Sequence, residues 1–293
     1  MPDCEIRTEL HGHTDRVNNI RFHPLATVSL PEDGPNMATA SADFTVRLWS
    51  LNPDLEFQQS VVLEGHEERV NYAEFHPMGR HLASSSHDRT WRLWDLETRK
   101  ELQLQEGHVA AVYPLSFQRD GALLASADLN AIGLVWDLRT GRSIYSMQGH
   151  VKQIVALSFL PNCYQVATGS DDNTVKVWDL RRKGCVQTVP AHTKLISDLR
   201  FEEDQGRFMV TSSYDGKCKV WNTHDWTIIR TLSSHDDKLT SASVTKNAEY
   251  IVTTSFDRTF KLWRHGGELA EDQKDVESEK MAMEEDTPQE NKN

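Results

Sequence analysis

SSSHDRTWRLWDLETRKELQLQEGH, running from Ser84 to His108, decides how the rest of the chain is read. It contains a polar tight turn around Asp88, a strand ending at Trp94-Asp95, a second strand, and a closing Gly107-His108 pair. The same text recurs along the chain. The Gly-His type pairs end at His13, His66, His108, His150, His192 and His235, and the matching tryptophans are Trp49, Trp94, Trp136, Trp178, Trp221 and Trp263. From His66 onward the histidines are spaced by 42, 42, 42 and 43 residues. A fixed period of about 40–45 residues with Gly-His and Trp-Asp marks describes a blade of four short strands, which buries its faces only by stacking on its neighbours.

The fold class is therefore all-β, a WD40 β-propeller with six countable blades. Its repeats span about 12–49, 65–94, 107–136, 149–178, 191–221 and 234–263. Strands such as Val46–Trp49 and Val175–Trp178 are short, rich in β-branched and aromatic residues, and bounded by turn residues. They do not alternate cleanly in polarity, as expected of a sheet covered on both faces. The first repeat needs 30 residues from His13 to Asp43 where the second needs 22 from His66 to Asp88, which places an extra loop at Leu25–Asn36. Residues 4–10 (CEIRTEL) read as an outer strand, either of a preceding blade or closing the ring against the last one. Residues 264–293 carry ten acids and four Lys/Arg with few large apolar side chains, and read as a disordered acidic tail.

Composition narrows the function classes. The net charge of −12 argues against non-specific nucleic-acid binding, which needs a basic footprint. No apolar run reaches the length of a membrane helix, so no membrane association is expected. The four cysteines are scattered without a CxxC pair, which suggests neither a disulfide framework nor a zinc site and points to a reducing compartment. Six histidines fall at repeat positions, and no Gly-rich phosphate loop is present, so neither metal nor cofactor is expected.

Each repeat offers a histidine, a Ser two residues before the turn Asp, the Asp itself, and a Trp six residues later. In repeat two these are His66, Ser86, Asp88 and Trp94; in repeat four they are His150, Ser170, Asp172 and Trp178. The remaining members are His13, Asp43 and Trp49; His108 and Trp136; His192, Asp215 and Trp221; His235, Asp257 and Trp263. Ser, His and Asp together invite a catalytic-triad reading. Six undistinguished copies argue instead for a structural hydrogen-bond network, because a nucleophilic site needs one pocket and one oxyanion hole. No enzyme activity is expected. Repeat three departs from the pattern: Asn130 stands at the turn position and Asp128 two residues earlier, so Asp128 is expected to serve His108 from the same strand face.

Function then falls to the rims. The residues just before the turn Asp, and a second set flanking the start of each inner strand (Arg16, Asn18, Arg69, Asn71, Tyr113, Lys238), are expected to be exposed. Arg69, His87, Tyr113, Tyr214 and Phe256 are the candidate partner contacts, since Tyr, Phe and Arg anchor protein interfaces.

Four runs carry a narrower resemblance: HDRTWRLWDLE (His87–Glu97), LNAIGLVWDLRTGR (Leu129–Arg142), SDDNTVKVWDLRRKGCVQTVPAH (Ser170–His192) and SFDRTFKLW (Ser255–Trp263). Together with the loop Phe22–Asn36, the chain resembles the WD40 domain of the fourth pre-mRNA-processing factor family, proteins of the U4/U6 small nuclear ribonucleoprotein, from about Pro2 to Trp263. The resemblance implies a nuclear, non-catalytic splicing scaffold in the U4/U6 snRNP and the U4/U6.U5 tri-snRNP. It implies the third pre-mRNA-processing factor as a partner and indirect contact with U4/U6 snRNA. The family also has a seventh blade and an N-terminal region that supplies its cyclophilin contact. This sequence is expected to lack both, so the cyclophilin contact does not carry over. The competing reading is a substrate receptor of a cullin-type ubiquitin ligase, based on the WDxR runs Trp136–Arg139 and Trp178–Arg181.

Overall fold

A computed structural model describes residues 9–24, 35–50 and 61–264. The expected acidic tail lies outside these residues, apart from Arg264. So do residues 4–8 of the expected outer strand and most of the Leu25–Asn36 loop; Glu9 and Leu10 are not in a strand.

The described residues form strands only, arranged in six antiparallel sheets. Blade one holds β1 (Val17–Phe22), β2 (Met37–Ser41), β3 (Val46–Trp49) and β4 (Val61–Leu63). Blade two holds β5 (Val70–Phe75), β6 (His81–Ser86), β7 (Trp91–Asp95) and β8 (Glu101–Gln105). Blade three holds β9 (Val112–Phe117), β10 (Leu123–Asp128), β11 (Ile132–Asp137) and β12 (Arg142–Gln148). Blade four holds β13 (Ile154–Phe159), β14 (Gln165–Ser170), β15 (Thr174–Asp179) and β16 (Gly184–Pro190). Blade five holds β17 (Ile196–Phe201), β18 (Phe208–Ser213), β19 (Cys218–Asn222) and β20 (Ile228–Leu232). Blade six has three described strands: β21 (Leu239–Val244), β22 (Tyr250–Ser255) and β23 (Phe260–Arg264).

The inner strands pack in sequence, β1 on β5, β5 on β9, β9 on β13, β13 on β17 and β17 on β21. Each blade contact is an apolar sandwich. Ala38, Ala40, Val46 and Leu48 of blade one meet Val70, Ala73 and Phe75 of blade two in one continuous core. Near-total burial of β6, β10, β14 and β18 follows, because each of these second strands has a blade on either side; β2 of blade one is buried as well.

Polar ties reinforce these contacts. His23 donates through Nε2 to the Gly79 carbonyl at 2.9 Å, and His76 does the same to Gly121 at 3.1 Å. A Cβ on Gly121, at φ 77°, would fall 2.1 Å from the His76 ring, so this turn requires glycine. Asn18 and Asn71 donate from bulged inner strands to the carbonyls of Val70 and Val112. Asn71 is therefore buried, and the expectation that it lies on an exposed rim is corrected: its amide is consumed joining two blades.

The sixth blade does not pack on the first in this manner: no sheet contact comparable to the other five joins β21 or β22 to β1 among the described residues. The consequence shows on blade one. Val17, Ile20 and Phe22 are 40%, 49% and 65% exposed, whereas Val70, Ala73 and Phe75 at the same positions of blade two are at most 6%.

Candidate partner-binding rim

Each blade is pinned by one chain of hydrogen bonds. In blade two, His66 Nδ1 lies 2.7 Å from Asp88 Oδ2, His66 Nε2 lies 2.8 Å from Ser84 Oγ, and the Trp94 indole N–H donates to the same Oγ at 2.8 Å. The donors and acceptors balance when Trp donates to the hydroxyl, the hydroxyl donates to Nε2, and Nδ1–H donates to the carboxylate. The same pattern links His13 to Asp43 and Thr39, His150 to Asp172 and Thr168, His192 to Asp215 and Thr211, and His235 to Asp257 and Thr253. The hydroxyl again accepts from Trp49, Trp178, Trp221 and Trp263.

The sequence reading placed Ser86 and Ser170 in this chain, and that is corrected. Ser86 ends β6 at the turn. Its hydroxyl donates to the Glu68 carbonyl and accepts the Asp88 N–H; Ser170 does the same with Lys152 and Asp172. The linking hydroxyl lies two residues deeper in the strand, on the same face, where the ring Nε2 and the indole converge. Its signal was legible: a Ser or Thr stands ten positions before every repeat tryptophan, from Thr39 and Trp49 to Thr253 and Trp263.

Blade three keeps the chain with a displaced carboxylate. Asp128 Oδ2 is 3.0 Å from His108 Nδ1, while Ser126 Oγ joins His108 Nε2 to the Trp136 indole. Asp128 Oδ1 also accepts the N–H groups of Asn130 and Ile132. In the other blades the turn Asp closes an Asx turn. Asp43 Oδ1 takes the N–H and hydroxyl of Thr45, and Asp88 those of Thr90. That holds Phe44 and Arg89 at φ 71° and 68°, a left-handed conformation that costs a non-glycine residue about 1 kcal/mol.

Electrostatics agree with the geometry. Burial works to raise the Asp43 carboxyl, but hydrogen bonds from Thr45 and His13 outweigh it and hold it at about 2. At Asp215 burial is likewise outweighed by His192, leaving about 2. Burial pushes His150 below its usual range despite Asp172, which fits a neutral imidazole. The Ser84 hydroxyl is fully buried and committed on both sides, so an electrophile has no approach to it.

What remains free is one end of the ring. The residue before each turn carboxylate closes a backbone bond to the start of the inner strand: His87 N–H to the Arg69 carbonyl, Tyr214 to Leu195, Phe256 to Lys238. These bonds bring the rim side chains together at that end. Tyr214 and Phe256 stack edge to face at 6.0 Å, and the Lys238 ammonium lies 5.4 Å from the Tyr214 ring. Phe256, Lys238 and Arg69 are exposed; Tyr214, His87 and Tyr113 are half-buried. Burial raises the Tyr113 phenol, as does Tyr214, while Arg16 and Arg69 work against that rise. Among the described residues the buried His87 Nδ1 has no hydrogen-bond partner.

Below the rim, the axis is a cavity of about 80 Å³ touched by all six inner strands. Tyr72, Arg21, Glu74, Asp198 and Arg200 gather on this axis. Arg21 pairs with Glu74 at 2.9 Å and also reaches the Tyr72 hydroxyl, which Arg200 approaches as well. Among the described residues no group of three His, Cys, Asp or Glu is placed to hold a metal. Of the WDxR arginines, Arg181 is bound to Asp179 at 3.0 Å and stacks 3.5 Å from the Tyr164 ring centre.

Comparison with known proteins fits this architecture. A family described as the IFT122 first beta-propeller matches residues 2–264. The U4/U6 small nuclear ribonucleoprotein PRP4 of Saccharomyces cerevisiae is 50% identical over 266 residues, covering 88% of this chain and 55% of that protein. A PRP4-like protein of Arabidopsis thaliana is 41% identical over 80 residues, 27% of this chain and 14% of its own length. Pre-mRNA-processing factor 19 of Bos taurus is 34% identical over 98 residues, 33% of this chain and 17% of its own. The chain thus spans about half the length of PRP4 or less of the others. With six blades among the described residues, their repeated His-Asp-Trp chains and a family match over residues 2–264, the chain belongs to the WD40 β-propeller family and resembles PRP4 over 88% of its length.

Proposed function

We propose that this chain is a non-catalytic interaction scaffold in pre-mRNA splicing, working in the nucleus within the U4/U6 snRNP and the U4/U6.U5 tri-snRNP. The observation that carries the reading is the 50% identity over 266 residues to a protein named for the U4/U6 particle. The geometry supports the scaffold part: the repeated Ser/Thr, His and Asp groups are consumed by internal bonds, while aromatic and cationic side chains converge on one rim.

Arg69, His87, Tyr113, Tyr214 and Phe256 are the proposed contacts, and the third pre-mRNA-processing factor is the proposed partner. U4/U6 snRNA is reached through such proteins, in keeping with the net charge of −12. The test is a pull-down of the tagged chain from nuclear extract with RNA and protein readouts. Recovery of U4 and U6 RNA supports the reading. Recovery of a cullin ligase with neither RNA overturns it in favour of the ligase receptor.

A further inference from the structure

Blade three offers the rim a different surface from the other described blades. Val109–Ala111 lead into its inner strand, Leu129–Ala131 form its turn, and the Leu129 N–H joins the two at the Ala111 carbonyl. None of these six residues is charged. The same six positions of each other blade include at least two charges, as with Lys194 and Asp215 in blade five. Val109 is 71% exposed, and Val151, its counterpart on the adjacent blade four, is 83% exposed. Large aliphatic side chains left this open on neighbouring blades form a contact surface.

The displaced carboxylate of this blade also changes what its backbone has to bond with. In the other five blades Oδ2 of the turn Asp accepts the N–H of the residue after the repeat histidine. Thr14, Glu67, Val151, Thr193 and Asp236 make this bond at 3.1–3.4 Å. Asp128 lies deeper: its side chain is 1% exposed, against 7–14% for the turn carboxylates of the other blades. Among the described residues no such bond reaches the Val109 N–H. Asp128 also occupies the position of Ser86, Ser170 and Ser213, whose hydroxyls donate to the carbonyls of Glu68, Lys152 and Lys194. A carboxylate that accepts from His108, Asn130 and Ile132 has no proton to give the corresponding Ala110 carbonyl. Blade three therefore leaves a backbone donor and a backbone acceptor on consecutive residues of an uncharged loop.

We propose that the rim of blade three, together with Val151 of blade four, binds an extended, uncharged aliphatic segment of a partner protein. The proposal rests on the rim reading above and adds to it the blade and the chemistry recognised. The Val109 N–H and the Ala110 carbonyl pair with the main chain of the segment, and Val109, Leu129 and Val151 take its side chains. The lack of charge sets the selectivity. A carboxylate, ammonium or phosphate brought onto this blade gives up water and gains no counter-charge there. That selects against nucleic acid and against the chain's own acidic residues 265–293.

The test selects random heptapeptides displayed on phage against the full chain. Enriched peptides should share a run of about three aliphatic residues without charge. A synthetic peptide of that consensus should slow amide exchange at Val109 when saturating. Val109→Asp, an exposed change, should weaken it at least about 10-fold. Asp128→Ser combined with Asn130→Asp rebuilds the turn of the other blades and both internal bonds. That variant should keep its melting temperature and lose a similar factor in affinity. Tyr214→Ala with Phe256→Ala, on blades five and six, should leave the peptide affinity unchanged. Peptide binding of this kind by a chain that recovers no U4 or U6 RNA would sink the splicing reading alone. Four results would overturn the inference: no enrichment, a charged consensus, an affinity that Val109→Asp leaves intact, or a concentration-dependent dimer that Val109→Asp abolishes.

Discussion

Arg200 in blade five donates to the phenol oxygen of Tyr72 in blade two, 128 positions away in the chain. Arg21 of blade one meets the same oxygen. Asp198 of blade five accepts the Ser241 hydroxyl of blade six at 2.5 Å. Blades one, two, five and six are thus joined across the axis, where among the described residues no sheet contact comparable to the others joins blade six to blade one. Side chains on the axis do part of what blade packing does elsewhere.

Tyr72→Phe tests that role. The substitution keeps the ring and removes the hydroxyl that two half-buried guanidiniums share. Arg21 and Arg200 retain Glu74 and Asp198, so the expected cost is about 1–3 kcal/mol in denaturant unfolding. An unchanged midpoint would show that the axis contributes nothing to stability.

Blade three offers a sharper comparison within one turn. Asp128→Ala leaves the His108 Nδ1 donor buried and two backbone N–H groups unpaired, at a cost of about 3 kcal/mol or more. Asn130→Ala, at the position that carries the Asp in the other repeats, should change stability by no more than about 0.5 kcal/mol. Thermal melts of the two variants settle the order, and equal effects would contradict the assignment of Asp128 as the carboxylate of this blade.

Acid should weaken the ring. Asp43, Asp88, Asp172, Asp215 and Asp257 are all held below the ordinary carboxylate range, Asp43 and Asp215 at about 2. An unfolded chain regains a carboxylate pKa of about 3.9, so it binds protons that the folded chain refuses. The stability these groups contribute is therefore complete above about pH 4 and lost as pH falls toward 2. Urea midpoints measured at falling pH should drop steadily through that window; a flat profile would separate the carboxylates from stability.

The fold could be read from sequence because its information is periodic. Histidine, aspartate and tryptophan recur at fixed spacing, and each mark sits in the hydrogen-bond chain of its own blade. The linking hydroxyl is equally periodic, but Ser84 and Ser86 stand on one face of the same strand. Only the depth of Ser84 in β6, beneath the imidazole, decides between two residues on one strand face. The axial cluster was not legible, since Arg21, Tyr72 and Arg200 belong to different repeats and meet only when the ring curves. Asn71 misled in the same way: a polar residue beside a turn reads as exposed until the next blade supplies the Val112 carbonyl.

The rim makes the central claim directly testable. Tyr214→Ala and Phe256→Ala in one chain remove an edge-to-face pair at the free end of the ring without touching any His-Asp-Trp chain. In a pull-down from nuclear extract beside the wild type, the account predicts that U4 and U6 RNA come down with the wild type. It predicts loss of most of that RNA with the double variant, whose melting temperature stays within a few degrees, about 1 kcal/mol. Full RNA recovery by a variant that melts normally would contradict the claim that this rim is where the protein meets its partners.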